Sequence, residues 1–338
     1  MPAELAFSAG DLARLRFVVS PMWQVGGSFR LLASNAADPV HRRWLEQVAP
    51  RVTAAGLDRG WLAELVPPSG YVPDFLNPAP AGPAPALVEE LAAITAASAE
   101  RVRRDLDHLR HHRGGPGPRL RALYEDPQAH LPRVAEEIAA YWDVALAPYW
   151  ARIRAVLDAD VFHRTRQAAE HGTGHLLNEL HPLVSWDDRV LRVVRRPRTL
   201  HRDGSGAGLL LIPAAFKGPG LSTRLSPPDP PQLAYRALGV GTLWERRPAA
   251  GSAALAAVLG RSRALLLAEL EHPASTTDLA RRTGVSPAGV SQHLTALRGA
   301  GFVTAHRAGR SVLYARTAVA EAVLAAAGRT GACAGPQA

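Results

Sequence analysis

The hydrophobic and polar positions of the first 186 residues predict a body built mostly of helices. A first helix is expected over residues 8–19, because Ser8 and Asp11 form a variant of the capping box. Two longer amphipathic stretches are expected at 86–112 and 131–170, and Pro148 should kink or split the second one. Shorter helices are predicted at 22–33, 40–48 and 60–66.

A proline-rich segment interrupts this helical pattern. Residues 67–85 contain seven prolines, a composition typical of a stiff, exposed connector. After residue 186 the pattern changes to short runs of branched residues at 190–194, 208–212 and 232–235, which predict strands. The first 247 residues therefore predict a helical α+β body with a small sheet.

Residues 252–327 show a sharper pattern and are predicted to form a separate domain, followed by a disordered tail at 328–338. Helices are expected at 252–259, 262–270 and 277–283, the last with Ser275 as N-cap. Gly284 stands where a helix end needs positive φ, and Ser286 with Pro287 is typical of a new helix start. Two helices joined by a short glycine turn are the helix-turn-helix pattern.

The second helix of this pair, predicted over 286–300, has one apolar and one polar face. Val290, Leu294 and Leu297 follow i, i+4, i+7 spacing and should face the domain core. The opposite face presents side chains that can hydrogen-bond: Ser291, Gln292, Thr295 and Arg298. A β-hairpin follows at 302–314 with Arg307 and Arg310 at its tip, and a last helix is expected at 319–326. The whole pattern predicts a winged helix-turn-helix whose wing meets the phosphate backbone or the minor groove.

Charge supports a polyanionic partner for this C-terminal domain. The chain has 39 basic and 30 acidic residues, and its net charge is +9. Residues 251–338 carry +5 of that charge, and the preceding 250 residues carry only +4. All basic residues except Lys217 are arginine, a bias typical of a G+C-rich genome.

Composition also excludes several classes of protein. A single cysteine, Cys333, excludes an intrachain disulfide framework and any site made from several cysteines of this chain. No apolar run reaches the ~18 residues of a membrane helix, and the first residues lack the order of a signal peptide. We therefore expect a cytoplasmic protein without membrane contact. We also expect it to have no enzymatic activity and no cofactor.

Three segments of the C-terminal domain together resemble the winged helix of the arsenic-repressor (ArsR) family. They are LARRTGVS at 279–286, VSQHLTALRGAGFV at 290–303 and RSVLY at 310–314. More loosely, residues 7–17, 20–21, 209–213 and Tyr235 resemble an uncharacterised domain that is fused to such winged helices in actinobacterial regulators. The predicted fold class is thus mainly α with small β, with an N-terminal helical α+β body and a C-terminal winged helix-turn-helix.

The ArsR resemblance implies a homodimer that represses transcription from a double-stranded DNA operator. Its DNA-facing positions correspond here to Ser291, Gln292 and His293, and the fold adds Ser286, Thr295, Arg298, Arg307 and Arg310 as candidate DNA contacts. The first and last helices of the domain would form the dimer contact, through Leu255, Val258, Leu259, Val319, Val323 and Leu324.

This chain departs from the family pattern in two places. Residues 287–289, Pro-Ala-Gly, replace the polar side chains that many members have at the start of the recognition helix. Base reading should therefore depend on Ser291, Gln292 and Thr295. The metal-sensing cysteines common on the preceding helix are missing from residues 277–281, which disfavours metal sensing of the usual family kind.

The body offers two further candidate sites, each with an ordinary structural interpretation beside it. Tyr141, Trp142, Tyr149 and Trp150 could line a pocket for an aromatic or lipophilic effector, or they could be plain core. His171 and His175 have the spacing of a zinc pair, with Glu170 and His181 nearby, but the glycines between them weaken a helix there. Two alternatives to a regulator stay open, an enzyme in the body and a winged helix that binds protein.

Overall fold

The described part of the chain packs into two compact units. The computed structural model describes residues 3–6, 9–34, 38–110, 117–187, 190–193, 207–245, 252–308 and 311–332. The first unit comprises Met1–Pro39, Leu57–Ala139 and Val156–Val240, and the second comprises Val40–Gly56, Ala140–Ala155 and Gly241–Ala338. Fifteen α-helices and nine short strands among the described residues confirm the predicted fold class. None of these helices is both long and apolar enough to cross a bilayer.

The second unit therefore groups the C-terminal domain with two stretches from earlier in the chain, Val40–Gly56 and Ala140–Ala155. From sequence, a single boundary was expected between 247 and 252. Hydrophobic side chains explain why the earlier stretches belong here. Trp44, which is 1% exposed, donates its indole N–H to the carbonyl of Ala145 at 3.0 Å and so joins the two stretches. Tyr149 packs edge to face against Trp244 with ring centroids 5.6 Å apart, which joins them to the later part of the chain.

Two small sheets lie in the first unit. The antiparallel sheet consists, in spatial order, of β1 (Ala3–Ala6), β4 (Val190–Val193) and β3 (Val184–Trp186). The second sheet consists of β2 (Arg16–Phe17), β5 (Leu210–Ala214), β7 (Gln232–Arg236) and β6 (Ser222–Arg224). In the second sheet β2, β5 and β7 are parallel and β6 is antiparallel to β7. Buried side chains from β5 and β7 belong to two separate core clusters, as expected for parallel strands covered on both faces.

The helices of the body are divided between the two units. Those with residues in the first unit are α1 (Ala9–Ala13), α2 (Pro21–Ser34), α4 (Trp61–Leu65), α5 (Leu87–Thr95), α6 (Ala99–Arg110), α7 (Pro118–Glu125), α8 (Pro127–Ala145), α9 (Trp150–His171) and α10 (Thr173–Leu180). The helix α3 (Arg42–Ala54) lies in the second unit. Pro148 lies in the short turn between α8 and α9, which confirms the predicted interruption.

The predicted first helix over 8–19 is wrong. The helix α1 ends at Ala13, and the chain continues into β2; Ser8, the predicted N-cap, lies outside the described residues. The backbone N–H of Arg16 donates to the carbonyl of Leu209 at 2.9 Å, and that of Val18 to Leu211 at 3.0 Å. Hydrogen bonds to a distant strand thus replace those of the local helix, which short-range pattern does not reveal.

The proline-rich segment 67–85 is exposed only in part, contrary to prediction: residues 71–80 are buried or half-buried, whereas residues 68–70, 81, 83 and 84 are exposed. Phe75 and Leu76 within it are 1% and 2% exposed. Polar atoms elsewhere in the first unit hold its backbone: a carboxylate oxygen of Asp105 accepts the N–H of Phe75 at 2.8 Å, and Gln232 donates to the carbonyl of Asn77 at 3.0 Å. These two apolar side chains and these hydrogen bonds bury the middle of a segment that its proline content alone would leave in solvent.

The predicted long helix at 86–112 is two helices. The helix α5 ends at Thr95 and α6 begins at Ala99. Ser98 lies between them, and its hydroxyl accepts the N–H of Arg101 at 3.3 Å, which is N-cap geometry.

The start of α2 is capped by a buried carboxyl group from α5. Glu90, 2% exposed, accepts the hydroxyl of Ser20 at 2.5 Å and the N–H of Met22 at 2.8 Å. Burial raises the pKa of Glu90 to about 7, although both hydrogen bonds act in the opposite direction. The carboxyl group therefore gives up its proton near neutral pH in the folded protein.

We expect the variant Glu90→Gln to lose part of the pH dependence of stability. Since the pKa of Glu90 is raised from 4.5 to about 7, the folded state binds more protons than the unfolded state between those values. The free energy of unfolding should then fall as pH rises from 4.5 to 7, and Glu90 should contribute on the order of 3 kcal/mol of that fall. Urea unfolding across this range measures it. Glu100→Gln, at an exposed position, should keep the wild-type slope, and parallel profiles for all three proteins would contradict the prediction.

The C-terminal part of the second unit closely follows the predicted pattern. Its elements are α11 (Ser252–Leu259), α12 (Arg261–Glu269), α13 (Thr276–Thr283), α14 (Pro287–Gly299), β8 (Val303–Ala308), β9 (Ser311–Arg316) and α15 (Ala318–Ala332). Residues 328–332 are helical, whereas a disordered tail was expected from 328. The hydrophobic core contains Leu266, Leu267, Leu270, Ala274, Leu279, Val290, Leu294, Leu297, Val303 and Ala320.

Candidate nucleic-acid interface

A capped helix and a glycine turn begin the candidate interface. The hydroxyl of Ser275 accepts the N–H of Asp278 at 3.2 Å, and the Asp278 carboxylate accepts the Ser275 hydroxyl at 2.7 Å. This hydrogen bond from Ser275 lowers the pKa of Asp278. Gly284 ends α13 at φ +71° and donates its N–H to the carbonyl of Ala280 at 3.0 Å. The predicted cap and turn are confirmed, and they fix where α14 begins.

The start of α14 is capped by a side chain and is closely packed at position 289. Ser286 accepts the N–H of Gly289 at 3.2 Å, and Pro287 occupies the first helical position. A Cβ at position 289 would lie 3.1 Å from Val285 Cγ1 and 3.2 Å from Ser286 Oγ. Glycine therefore keeps this cap compact. The Ser286 hydroxyl serves the helix itself, and its predicted contact with DNA stays a prediction.

One face of α14 is fully buried. Val290 and Leu294 are 0% exposed and Leu297 is 2% exposed, and all three belong to the core of the winged helix. Their predicted orientation is confirmed. This packing sets the rotation of α14 about its axis and so decides which side chains face solvent.

The other face of α14 carries the polar side chains that the sequence indicated. Ser291, Gln292, Thr295 and Arg298 are exposed, and His293 is half-buried. Thr295 donates its hydroxyl to the carbonyl of Ser291 at 2.9 Å within the helix. Gln292 and Arg298 have the longest side chains on this face, and their amide and guanidinium groups suit base edges and phosphates respectively.

The wing is a two-stranded hairpin fixed to the helices beside it. Strands β8 and β9 pair from Val303 with Arg316 to Ala308 with Ser311. Backbone hydrogen bonds of 2.9 and 3.1 Å join Tyr314 to Ala274, which precedes α13. Arg307 is exposed near the tip, and Arg310 lies outside the described residues.

Arg316 positions the wing and was not recognised from the sequence. Its guanidinium donates to the carbonyls of Leu267 and Ala268 at the end of α12, each at 2.6 Å, and lies 3.4 Å from the carboxylate of Glu321. A cation at a helix C-terminus is favourable both for the dipole and for the unpaired carbonyls. Arg316 thereby ties β9 to α12 and α15. This role becomes visible only in the structure, where the end of β9 lies beside the end of α12.

Positive charge dominates the exposed surface of this module. Between residues 272 and 320 Asp278 is the single acidic residue in the sequence, and it forms an ion pair with Arg281 at 2.8 Å. Arg282, Arg298 and Arg307 are exposed. Such a surface attracts the phosphate backbone and makes association dependent on salt concentration.

Comparison with known proteins agrees with this geometry. Residues 262–305 match the family model described as "Bacterial regulatory protein, arsR family". These residues form an ArsR-type helix-turn-helix. The match runs from α12 through α13 and α14 into β8, which are the elements that carry the polar face described above. A search of curated proteins and a search of solved structures gave no match to the chain. The ArsR-type segment indicates DNA binding and transcription regulation.

The candidate dimer residues differ in exposure. The helices α11 and α15 pack against each other. Val258 is 81% and Val319 is 56% exposed, whereas Leu255 is 5% exposed and already buried within the protomer. The remaining three candidates are half-buried: Leu259, Val323 and Leu324. Two exposed valines on adjoining helices are therefore the part of the predicted set that is accessible to a partner.

The four candidate pocket aromatics do not lie on a single helix. The break between α8 and α9 separates them, and Tyr141 and Tyr149 are core residues at 0% and 4% exposure. The half-buried Trp142 and Trp150 pack edge to face with ring centroids 4.9 Å apart. Tyr149 donates its hydroxyl to Gln47 at 2.8 Å. Their predicted ligand stays a prediction, and their observed contacts are those of core packing.

The histidines of the candidate zinc site make contacts within the protein. His171 and His175 have ring centroids 5.0 Å apart, but Gly172 at φ +86° ends α9 between them. Both ring nitrogens of His181 have backbone partners: Nε2 lies 2.7 Å from the carbonyl of Pro219, and Nδ1 accepts the N–H of Leu183 at 3.0 Å. In the described part of the chain, no three His, Cys, Asp or Glu side chains are grouped so that they could hold a metal ion.

Proposed function

We propose that this protein is a transcriptional repressor that binds operator DNA as a homodimer. The observation that carries the proposal is the ArsR-type helix-turn-helix, whose second helix exposes a polar face while its apolar face is buried. In this proposal the body senses a small molecule and catalyses no reaction.

The two recognition helices would enter successive major grooves of one face of the DNA, about one helical turn apart. Gln292 would read a base edge, since a carboxamide can pair bidentately with adenine. Arg298 and Arg307 would contact phosphates and set the register of the helix. The net charge of +5 at residues 251–338 supports such backbone contacts.

Dimer formation is supported by the exposure of Val258 and Val319 on two adjoining helices. Large apolar side chains exposed together favour a protein contact. A two-fold dimer would explain readout of an inverted repeat, because operator symmetry mirrors protein symmetry.

The proposal is tested by selecting bound duplexes from a random DNA pool with the purified full chain, followed by fluorescence anisotropy. We expect an enriched inverted repeat that binds at least about 10³-fold more tightly than a scrambled duplex. Repression is then measured with a reporter gene placed behind the selected repeat. A pool that stays unenriched, or binding that is equal for both duplexes, would refute sequence-specific regulation.

We expect Gln292→Ala to relax specificity at one base pair of each half-site. The loss of a bidentate contact should remove about 1–3 kcal/mol of discrimination at that base pair and leave other positions unchanged. Anisotropy with single-base operator variants measures this. Arg307→Ala is the matched control, since it should weaken binding to all duplexes alike and lower the salt slope by about 1. Equal discrimination by wild type and Gln292→Ala would show that Gln292 reads no base.

A further inference from the structure

A cavity of about 240 Å³ lies in the first unit, at the carboxyl ends of β2 and β5. The chain leaves β2 to form α2, and it leaves β5 through residues 215–218; both of these segments line the cavity. Segment 68–77 and strand β6 line the remaining sides. The carboxyl ends of parallel strands are where open α/β sheets generally bind their ligands.

Cations dominate the polar lining of this cavity. Arg30, Lys217 and Arg224 line it, and Asp74 is the single acid among the lining residues. Backbone carbonyls fix Arg30, whose guanidinium donates to Pro67 at 3.0 Å and to Gly70 at 2.9 Å. The cavity lining therefore contains three cationic side chains and one acidic one, and Arg224 among them is also ion-paired with Asp229 at 2.6 Å.

Arg224 is a buried side chain that hydrogen bonds hold in the wall of this cavity. It is 1% exposed and is held by the carbonyl of Asp74 at 3.1 Å and the carboxylate of Asp229 at 2.6 Å. Its third nitrogen, Nη1, is buried and has no hydrogen-bond partner among the described residues. A buried guanidinium N–H usually finds an acceptor, so Arg224 is a lining residue with an unsatisfied hydrogen-bond donor.

Lys217 stands out both in the sequence and in the structure. It is the only lysine in a chain with 38 arginines, and it lies in this cavity beside Arg30. Burial, with a smaller effect of the Arg30 charge, lowers the pKa of Lys217 to about 8. Two neighbouring cations that repel each other are held together at a free-energy cost, and an anion placed between them would offset that cost.

Aromatic side chains form the apolar part of the wall. Trp23, Tyr71 and Phe216 line the cavity, and the indole N–H of Trp23 donates to Gln232 at 2.7 Å, which fixes that ring. The volume lies below the ~300–1,000 Å³ of pockets for drug-sized ligands, so a smaller ligand fits.

We propose that this cavity binds a small organic anion, with its carboxylate or phosphate group between Arg30, Lys217 and Arg224 and its apolar part against Trp23 and Phe216. The inference deepens the proposed regulatory function because it assigns the effector a site and a chemical class. Binding itself does not depend on that function. The aromatic residues that the sequence suggested for a pocket, 141–142 and 149–150, do not line this cavity.

The single lysine permits a direct test on the full chain. Reductive methylation with ¹³C-formaldehyde labels Lys217 and the α-amino group only, so the lysine gives one resolved NMR signal. We expect benzoate or phenyl phosphate to shift this signal saturably, while the uncharged benzamide does not. The tighter of the two anions identifies the acidic group. Calorimetry on the unmodified protein measures the dissociation constants.

Substitutions at Lys217 test whether anion binding depends on the charge of this side chain or on its packing. We expect Lys217→Met to weaken binding of the preferred anion at least 10-fold and Lys217→Arg to retain it. Arg59→Met is the matched control: it removes one charge from a 79% exposed side chain in the same unit and should bind as wild type does. Equal binding of benzamide, unchanged affinity in Lys217→Met, or no response to any probe would overturn the proposal.

The pH dependence of affinity gives a second readout. Below pH 8 Lys217 is protonated, and as pH rises toward 9.5 it loses its charge, so the affinity for the anion should fall several-fold. The other titratable lining groups are Arg30, Arg224, Asp74 and Tyr71. Arginine side chains keep their charge in proteins, and burial raises the pKa of Tyr71. Lys217→Arg should bind without this dependence. None of these measurements includes DNA. A negative result here therefore does not contradict operator binding, and a failure to bind an operator does not contradict this anion site.

Discussion

Replacing both Val258 and Val319 with aspartate is expected to convert the protein to a monomer and to weaken operator binding by a factor of about 10²–10⁴. Val258 is 81% and Val319 is 56% exposed, and they lie on the adjoining helices α11 and α15. In the proposed dimer both would be buried, where an unpaired carboxylate is strongly unfavourable. Each recognition helix would then have to bind its half-site alone, without the gain of a second linked contact.

The measurement is sedimentation velocity together with anisotropy on the selected inverted repeat. Because both valines are exposed in the protomer, the double variant should keep its far-UV circular dichroism. Val88→Asp is the matched control, since Val88 is a 70% exposed helical valine in the first unit and should affect neither mass nor DNA binding. A double variant that remains dimeric would place the dimer contact elsewhere.

The winged helix could be predicted almost completely because its signals are local. The caps Ser275 and Ser286, the turn at Gly284 and the apolar spacing from Val290 act within a few residues of the structure they specify. The family match at 262–305 covers the same elements. The bond from Arg316 to the end of α12 joins residues almost fifty positions apart, and no local pattern indicates it.

The body was harder to predict because distant segments complete its elements. Strand β2 pairs with β5 almost two hundred residues later, so residues 16–17 form a strand within a stretch that looks helical. The proline-rich segment 67–85 looks exposed because its anchors, Asp105 and Gln232, lie outside it. A prediction from local pattern assigns such segments their intrinsic preference, which tertiary contacts override.

The cavity could not be predicted either, although one of its residues was visible. Lys217 is unusual in the sequence because it is the single lysine, but it belongs to no recognisable motif. Its meaning depends on the neighbours Arg30 and Arg224, which are contributed by a distant helix and a separate strand. The sequence instead drew attention to the tryptophans and tyrosines between 141 and 150, two of which are buried in the core.

The largest loss of stability is expected from Asp160→Ala, about 3–5 kcal/mol, because this carboxylate supports a buried polar network. Asp160, 1% exposed on α9, accepts the hydroxyl of Tyr235 at 2.6 Å and the N–H of Leu238 at 2.9 Å. Arg164 lies 3.8 Å away and is also buried. Alanine would leave a hydroxyl and an amide without their acceptor and would remove the charge that pairs with Arg164, although Arg164 would keep its hydrogen bond to the carbonyl of Glu179 at 3.0 Å.

Urea unfolding at pH 7, followed by tryptophan fluorescence and far-UV circular dichroism, measures this loss. Tyr235→Phe removes one hydrogen bond and leaves the charge pair, so it should cost only about 1 kcal/mol. The double variant should be less destabilised than the sum of the single variants, because both changes remove the same hydrogen bond. If Asp160→Ala costs no more than Tyr235→Phe, the carboxylate contributes one hydrogen bond and no more.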